Sequence, residues 1–324
     1  MPCHCHCNAH PPSRLKAEHV QNHSTLANPQ CYYPPVSSTS DRRAKAITII
    51  NLKGGVGKTH TAWLLAGVCE EQGKRILVID TDTHANITKG LLTYGENPIP
   101  GVESLFDPRT DADPQTIVRR TRYKHIDLIP SSVVLAAYDL SDRRLWEKSD
   151  LHLSLADGLR EIRTQYDYLV FDCPPRLSLV SFAALCASDY VIIPLEAADW
   201  GAQGIVQVTA AVNHVRERHN PTLHLLGYLV SRFKRGRGYQ RSYLAKLREH
   251  FGPLAFDTII PDLAGYEKSV THSVPIPLHA PASNEADFAR KFFGEVERRI
   301  SEAGRSGDGR GRKDVRLPAH AAAA

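Results

Sequence analysis

Short apolar runs alternate with amphipathic stretches from residue 44 to residue 302. Apolar runs of this length are typical of strands that are covered on both faces, and the amphipathic stretches predict the helices that cover them. The alternation predicts an α/β fold: a doubly wound, mostly parallel sheet flanked by helices. The segments that we assign to strands are 46–51, 75–80, 168–172, 190–194 and 225–230.

The two ends of the chain lack this periodicity. Residues 1–43 are rich in His, Pro, Ser, Asn and Cys, whereas residues 303–324 are rich in Gly and Arg and end in four alanines. Neither composition can bury enough apolar surface to offset the entropy lost on ordering. We therefore expect a disordered arm over 1–43, one folded domain over 44–302 and a disordered tail over 303–324.

The first predicted strand leads into a glycine-rich loop and then a helix. Residues 53–59 read Lys-Gly-Gly-Val-Gly-Lys-Thr, and the predicted helix spans 58–72 with Gly73 in the cap position. Glycines let backbone N–H groups face a polyphosphate, and the helix N-terminus favours the same negative charge. In such a loop Lys58 would reach the β- and γ-phosphates, and the Thr59 hydroxyl would bind Mg²⁺.

This loop departs from the strict pattern G-x-x-x-x-G-K-[ST] at one position. Leu52 stands where that pattern has its first glycine, and a second lysine, Lys53, precedes the glycine pair. The alternative interpretation is a glycine-rich turn with a fortuitous lysine. The apolar strand before the loop and the apolar helix after it favour phosphate binding.

Aspartates follow two of the predicted strands. The strand 75–80 ends at Asp80 and is followed by Asp82, and the strand 168–172 ends at Asp172. Because the carboxyl ends of parallel strands meet at one edge of a sheet, we expect these carboxylates beside the glycine-rich loop. There they can hold Mg²⁺ or its waters and orient an attacking water. Taken alone, each aspartate could equally end its strand as a turn cap.

Composition narrows the class of protein. The 324 residues are 42% hydrophobic and 23% charged, the balance of a soluble globular protein. No apolar run approaches the roughly 18 residues that a membrane span needs, and the N-terminus lacks the apolar core of a secretory signal. Seven cysteines, three of them within the first seven residues, do not resemble a disulfide framework, so we expect a reducing cytoplasm.

A basic stretch follows the strand 225–230. Between residues 232 and 248 there is no acidic residue, and Tyr243, Leu244, Leu247 and Phe251 form one apolar helical face that leaves the basic side chains outward. Such a stripe can bind DNA phosphates without sequence preference, although a solvated helix face is the alternative. The candidate DNA-binding residues are Arg232, Lys234, Arg235, Arg237 and Arg241.

The first ten residues carry a separate set of thiols and imidazoles, which are ligands that suit Zn²⁺. Their alternating spacing differs from the usual C-x₂-C pattern, and the surrounding sequence predicts no structure that would orient the ligands. An adventitious site, or none, is the preferred interpretation. The residues are Cys3, His4, Cys5, His6, Cys7 and His10.

Taken together, the loop and the aspartates resemble the ParA/MinD family of deviant-Walker P-loop ATPases, and most of all its ParA (Soj) branch. The similarity extends over residues 44–300 and rests on the segments 53–59, 80–88 and 166–175. Weaker agreement continues through the segments 191–194, 226–230 and 259–261. The resemblance implies a P-loop NTPase fold with a deviant Walker A motif.

The resemblance also implies roles for individual residues. In the family, two ATP-bound subunits enclose their nucleotides, and the lysine equivalent to Lys53 reaches the phosphates of the partner subunit. Lys53, Lys58 and Asp82 are the implied catalytic residues, with Asp82 positioning the water. Thr59, Asp80 and Asp172 are the implied magnesium residues. The implied ATP-binding residues are Lys53, Gly54, Gly55, Val56, Gly57, Lys58, Thr59 and His60.

The function that the resemblance implies is a slow ATPase that drives chromosome or plasmid partition. We expect ATP and Mg²⁺ as cofactors, an ATP-dependent homodimer, non-specific DNA and a ParB-like stimulating protein as partners, and a cytoplasmic, nucleoid-associated location without membrane contact. A ParA-like positioner of protein cargo would share every motif. A MinD-like membrane-surface switch would need an apolar stripe that the C-terminus lacks. A cluster-carrying protein would need cysteines placed differently from Cys173 and Cys186.

Two segments depart from the family pattern. Residues 82–86 read Asp-Thr-His-Ala-Asn where the family usually shows Asp-Pro-Gln-Gly-Asn, and His60 replaces a usual threonine. Losing the proline and the glycine changes how the loop bends. We therefore expect the hydrolysis rate to differ, whereas the residues implied in binding are intact.

Overall fold

The computed structural model describes residues 43–306, except 93–94, 110–112, 143, 145–146, 148–149, 198–201 and 235. The predicted arm up to residue 42, with its cysteines and histidines, lies outside the described residues. The predicted tail from residue 307 onward and the candidate DNA-binding residue Arg235 also lie outside them.

A seven-stranded sheet forms the centre of the described chain. Its strands are β1 (Lys45–Ile49), β2 (Ile76–Asp80), β3 (Arg119–Arg120), β4 (Ile126–Ile129), β5 (Tyr168–Asp172), β6 (Tyr190–Glu196) and β7 (His224–Ser231). Their order across the sheet is β3-β4-β2-β5-β1-β6-β7. All neighbouring strands are parallel, except that β3 runs antiparallel to β4.

Helices connect these strands and cover both faces of the sheet. The described α-helices are α1 (Lys58–Glu71), α2 (Asn86–Leu91), α3 (Pro114–Ile117), α4 (Ser154–Gly158), α5 (Leu179–Ala187), α6 (Ala202–Arg218), α7 (Gly238–Phe251), α8 (Ala264–Thr271), α9 (Ile276–His279) and α10 (Asn284–Ser306). Short 3₁₀ helices span Val102–Leu105, Val133–Ala137, Leu151–Leu153, Ile162–Gln165 and Gly252–Leu254. Among the described helices, none combines the length and the apolar character that a membrane span requires.

The predicted fold class is confirmed, and five strands lie where the sequence placed them, to within two residues at each end. The strands β3 and β4 were missed. The four residues of β4 include a buried Asp127, which accepts hydrogen bonds from Tyr166 and Arg120, and a carboxylate interrupts the apolar signal. The last helix continues to Ser306, so residues 303–306, expected in the tail, are helical.

Alternating side chains along each strand build two cores, one on each face of the sheet. Ile47 and Ile49 of β1 belong to the core that packs against α1 and α10. Ala46 and Phe171 belong to the other core, which includes side chains from α5 and α6. Because both faces are covered, the central strands are apolar throughout, which is why they were recognisable as continuous runs.

The position of β1 fixes where a ligand can bind. β1 lies between β5 and β6, so the strand order reverses there, and open α/β sheets bind ligands in the crevice at such a reversal. The register pairs Ile49 with Asp172, and it also pairs Asp80 with Asp172. The loop after β1 therefore meets the ends of β2 and β5 at one edge of the sheet.

Two helical glycines should respond in opposite directions when they are changed to alanine. In Gly67→Ala on α1, the new Cβ would lie 2.6 Å from Cβ of Pro275, so we expect a loss of about 1–3 kcal/mol in the free energy of unfolding. Gly294 on α10 has open space, so Gly294→Ala should add about 0.5–1 kcal/mol. Urea denaturation measures both changes, and a stabilised Gly67→Ala would contradict the packing described here.

Candidate functional site

The glycine-rich loop between β1 and α1 is held by contacts from β7. Gly55 and Gly57 adopt left-handed backbone conformations, with φ of 76° and 86°. A Cβ at Gly57 would also lie 3.0 Å from Oγ of Ser231, so glycine is required there for two reasons. Ser231 donates a hydrogen bond to the Val56 carbonyl. The loop thus presents its backbone N–H groups and the first turn of α1 to the crevice.

A buried asparagine fixes the start of the same loop. Asn51 accepts a hydrogen bond from the Lys53 N–H at 2.9 Å and donates one to the Pro194 carbonyl of β6 at 2.7 Å. It therefore ties the loop to the neighbouring strand. This role of Asn51 is not visible in the sequence, where it ends a predicted strand, because the partner carbonyl lies 143 residues further along the chain.

The two lysines of the loop point in different directions. Lys58 is buried, and its ammonium group donates to the Lys53 carbonyl at 3.0 Å. Burial lowers the pKa of Lys58, whereas the nearby carboxylates of Asp172 and Asp82 oppose that shift. The side chain of Lys53 is 43% exposed and lies 3.4 Å from the Glu196 carboxylate at the end of β6. The Lys58 side chain thus points into its own loop, whereas the Lys53 side chain points outward from it.

Asp80 and Asp172 are paired across β2 and β5, but their surroundings differ. Asp80 accepts three hydrogen bonds, from the N–H of Asp82 and from the N–H and hydroxyl of Thr88. Asp172 is also buried, but neither of its carboxylate oxygens has a hydrogen-bond partner among the described residues. Burial raises the pKa of both groups. The Asp80 carboxylate adds to the shift at Asp172, whereas the nearby Thr59 hydroxyl and the Lys58 ammonium oppose it. At Asp80 the Asp82 carboxylate adds to the shift, and the hydrogen bonds from Asp82 and Thr88 oppose it.

The donor set around Asp172 fits Mg²⁺. A carboxylate oxygen and a hydroxyl such as that of Thr59 are the hard oxygen ligands that this ion takes in nucleotide sites. A buried, unpartnered carboxylate is costly unless a cation compensates its charge. Asp80 differs, because its three protein hydrogen bonds fix the segment that follows β2.

Asp82 is clamped by the residue two positions along. Its Oδ1 accepts the His84 N–H at 3.0 Å and lies 2.9 Å from Nδ1 of the His84 ring. The Asp82 side chain is 12% exposed and that of His84 is 67% exposed. Ala85 has a φ of 53°, a left-handed conformation that favours glycine. The backbone therefore keeps the bend expected of a glycine, although the residue is alanine.

Two cavities meet at the loop, and both are bordered by Gly57 and His60. The first, of about 450 Å³, is lined by the loop together with Lys58, Thr59 and Asp82. The second, of about 360 Å³, is lined by the residue that follows β7, by the segment 260–263 and by α8. The lining residues include Arg232, Ile260, Pro261, Asp262, Leu263 and Tyr266. No sequence pattern connects these residues with the loop, because they lie about 170 or more residues further along the chain.

His60 forms part of the wall between the cavities. Its ring lies edge-on to the Tyr266 ring, with centroids 4.6 Å apart. Burial lowers the pKa of His60 to about 4, and the Arg232 guanidinium adds to the shift. The imidazole is therefore neutral at physiological pH and acts as an aromatic surface, not as a cation.

Four of the basic residues after β7 fall into two groups: two of them contact other parts of the fold, and two lie exposed at the start of α7. Arg232 lies against the glycine loop, with Nη1 3.3 Å from the Gly55 carbonyl, and Lys234 pairs with Asp262 at 3.0 Å. Arg237 and Arg241 are exposed at the start of α7. The predicted apolar face of this helix is present, since Tyr243 and Leu247 are buried. No acidic residue was visible nearby in sequence because Asp262 comes from a later segment.

The cysteines of the described chain are buried. Cys173 follows Asp172 at the end of β5, and Cys186 lies on α5. Burial raises the pKa of each thiol to about 12, so neither is a reactive thiolate at neutral pH. This agrees with the interpretation of both as ordinary buried thiols.

Comparisons with known proteins agree with this geometry. A family model described as "AAA domain" matches residues 44–225. The chromosome-partitioning ATPase Soj of Thermus thermophilus is 32% identical over 267 residues, which is 81% of this chain and 98% of that protein. The sporulation initiation inhibitor protein Soj of Bacillus subtilis is 30% identical over 253 residues, which is 78% of this chain and 98% of that protein.

A solved structure supports the same architecture. Cobyrinic acid a,c-diamide synthase from Mycobacterium smegmatis, with a bound ATP analog and magnesium, superposes with a TM-score of 0.66 at 25% identity. The superposition covers 80% of this chain and 96% of that chain. The fold described above is therefore one that binds a nucleotide and magnesium in that enzyme.

The two paired aspartates should differ in their effect on stability. Asp172→Asn removes a buried, unpartnered charge, so we expect the nucleotide-free protein to gain about 1–3 kcal/mol while losing its stabilisation by Mg²⁺ and an ATP analog. Asp80→Asn, the matched control, replaces one of the two accepting oxygens by an NH₂ donor, so it loses at least one of the three bonds and should be destabilised by a similar amount. Urea denaturation with and without Mg²⁺-nucleotide measures both, and a destabilised Asp172→Asn would contradict this account.

Proposed function

The chain belongs to the ParA/Soj family of deviant-Walker P-loop ATPases, and from that premise we propose that it is an ATP-dependent partition switch. ATP-bound subunits form a dimer, the dimer binds DNA without sequence preference, and slow hydrolysis, stimulated by a ParB-like protein, releases it. The observation that carries the proposal is the buried Asp172 carboxylate, which has no hydrogen-bond partner among the described residues and lies beside Lys58 at the glycine loop.

The binding half of the proposal assigns the two cavities to two parts of ATP. The loop N–H groups and Lys58 hold the phosphates in the first cavity. Thr59 and Asp172 hold Mg²⁺, with Asp80 supporting them through the segment after β2. When bound, Mg²⁺ neutralises charge on the phosphate oxygens. The second cavity, with the neutral His60 and Tyr266 on its wall, takes the base.

The catalytic half of the proposal assigns roles to Asp82 and Lys53. Oδ1 of Asp82 is occupied by His84, which leaves Oδ2 to orient the attacking water. Lys53 is turned away from its own loop toward Glu196. From that position it reaches the phosphates of the partner subunit and stabilises the charge that develops there.

The DNA surface in this proposal is narrower than the basic stretch. Arg237 and Arg241 are exposed and lie on the solvent side of α7, whereas Arg232 and Lys234 are engaged with the loop and with Asp262. Arg235 is retained as part of the surface from its position in the sequence. Exposed guanidinium groups contribute salt-dependent phosphate contacts.

DNA binding should depend both on the nucleotide state and on these arginines. We expect sedimentation with DNA only in the presence of Mg-ATP, and none for Lys58→Ala. Arg237→Ala/Arg241→Ala should weaken binding and reduce the salt slope by about 2, since about one unit is lost for each phosphate contact. The matched control is Arg122→Ala/Lys124→Ala, an exposed pair at the turn between β3 and β4.

Two results would count against this surface. Equal losses in both double variants would show that only total charge matters. Tight ATP binding without DNA association in any state would point to protein cargo or a membrane surface instead.

The histidine that clamps Asp82 should affect turnover without affecting binding. His84→Ala leaves the Asp82 carboxylate free to rotate, so we expect the maximal hydrolysis rate to fall by about tenfold to a hundredfold. Affinity for ATP, measured with a fluorescent analog, should not change. Thr83→Ala is the control, because it removes an adjacent side chain whose hydroxyl accepts a hydrogen bond from the Arg176 guanidinium at 3.4 Å. An unchanged rate in His84→Ala would disprove the positioning role.

A further inference from the structure

A second cluster of metal-ligating side chains lies away from the nucleotide site. Ligand atoms of Glu147, His214 and His219 all lie within 4.8 Å of one another. Nε2 of His152 lies 3.1 Å from Nδ1 of His219, and Nε2 of His214 lies 3.5 Å from a carboxylate oxygen of Glu147. Two imidazoles and one carboxylate therefore converge on one small volume, and a third imidazole, that of His152, contacts the His219 ring.

The spacing of these atoms matches a tetrahedral site. Ligands that bind zinc at about 2.0–2.1 Å lie about 3.3 Å apart along each edge of the tetrahedron. The distance of 3.1 Å between His152 and His219 and that of 3.5 Å between His214 and Glu147 lie on either side of that value. Small side-chain rotations would bring the ligand atoms of Glu147, His214 and His219 to bonding distance, since they all lie within 4.8 Å of one another. His152, through its contact with His219, is the candidate for the fourth ligand.

The fold holds several of these ligands in place. His152 lies in the 3₁₀ helix 151–153 and is 2% exposed. His214 is in the last turns of α6, and the N–H of His219 continues that helix by bonding to the Val215 carbonyl. The next residue, Asn220, donates to the Ser188 carbonyl just before β6. Ligands on packed, hydrogen-bonded elements lose little entropy when they bind an ion.

The location separates this cluster from the phosphate loop. α6 follows the carboxyl end of β6 and returns to the amino end of β7, so its last turn lies at the edge of the sheet opposite the glycine loop. None of the four residues lines either cavity of the nucleotide site. A ligand of this cluster would therefore bind separately from ATP.

We infer that Glu147, His152, His214 and His219 form a binding site for a divalent transition metal of the zinc class. Imidazole nitrogens with one carboxylate suit Zn²⁺, Co²⁺ or Ni²⁺, whereas Mg²⁺ and Ca²⁺ require oxygen ligands. Two of the ligands come from the segment between β4 and β5, and two come from the end of α6. The bound metal links these two parts of the chain and stabilises the folded state.

The test uses the full-length protein without an affinity tag, in a background of Cys3→Ser, Cys5→Ser and Cys7→Ser. This background removes the thiolates of the N-terminal arm, and the imidazoles of the arm remain in every variant, so they cancel in the comparison. Zinc affinity is measured by competition with a chromogenic chelator. The parent should bind a zinc ion that His214→Ala/His219→Ala binds at least roughly tenfold more weakly.

The matched control replaces another pair of neighbouring histidines. His272 and His279 stack with centroids 5.1 Å apart, and His272→Ala/His279→Ala should retain the zinc affinity of the parent. Glu147→Gln keeps the size of the side chain but removes the charge, and should weaken zinc binding while folding normally in a chelator. Zinc should raise the melting temperature of the parent and the control, but not that of His214→Ala/His219→Ala.

Three results would overturn the site. The parent could bind no zinc, in which case the cluster is a hydrogen-bonded histidine group. The His214→Ala/His219→Ala variant could bind zinc as tightly as the parent. Both double variants could lose affinity equally, which would show non-specific binding to surface histidines.

Discussion

The buried charge at the ends of β2 and β5 is the constraint on which the rest of the site depends. Parallel register places Asp80 and Asp172 side by side, and burial makes the ionised form of each costly. The chain satisfies Asp80 with three hydrogen bonds and leaves Asp172 without any from the described residues. The neighbouring ammonium of Lys58 offsets part of that charge. A site built in this way gives up stability in exchange for affinity for a cation and its polyphosphate.

The segment after β2 connects this electrostatic site to the part of the loop that departs from the family pattern. Thr88 holds one end of it through Asp80, and His84 holds Asp82 near the other end. Ala85 keeps a left-handed backbone, so the bend survives the loss of glycine at a conformational cost of about 1–2 kcal/mol. The unusual residues therefore form a left-handed bend at Ala85 and place the His84 imidazole against Asp82.

Much of the site could be predicted because its signals are local. The glycine loop, Lys58, Thr59 and the aspartates at strand ends each lie within a few residues of the element that positions them. The contacts of the basic stretch were not predictable in this way. Asp262 reaches Lys234 from a later segment, and Arg232 turns onto the loop at Gly55. The hydrogen bond of Asn51 was unpredictable for the same reason, since its partner carbonyl is on β6.

The sequence by itself determined the sheet class, most of the strands and the residue types of the phosphate loop, because hydrophobic periodicity and glycine placement act over short distances along the chain. Tertiary structure alone decided which aspartate is left unpartnered, which arginines stay exposed and which histidines meet. Glu147, His152, His214 and His219 show no motif spacing, and they converge only because α6 ends beside the segment that precedes β5. Distances between residues far apart in the chain are set by packing, and no local pattern encodes them.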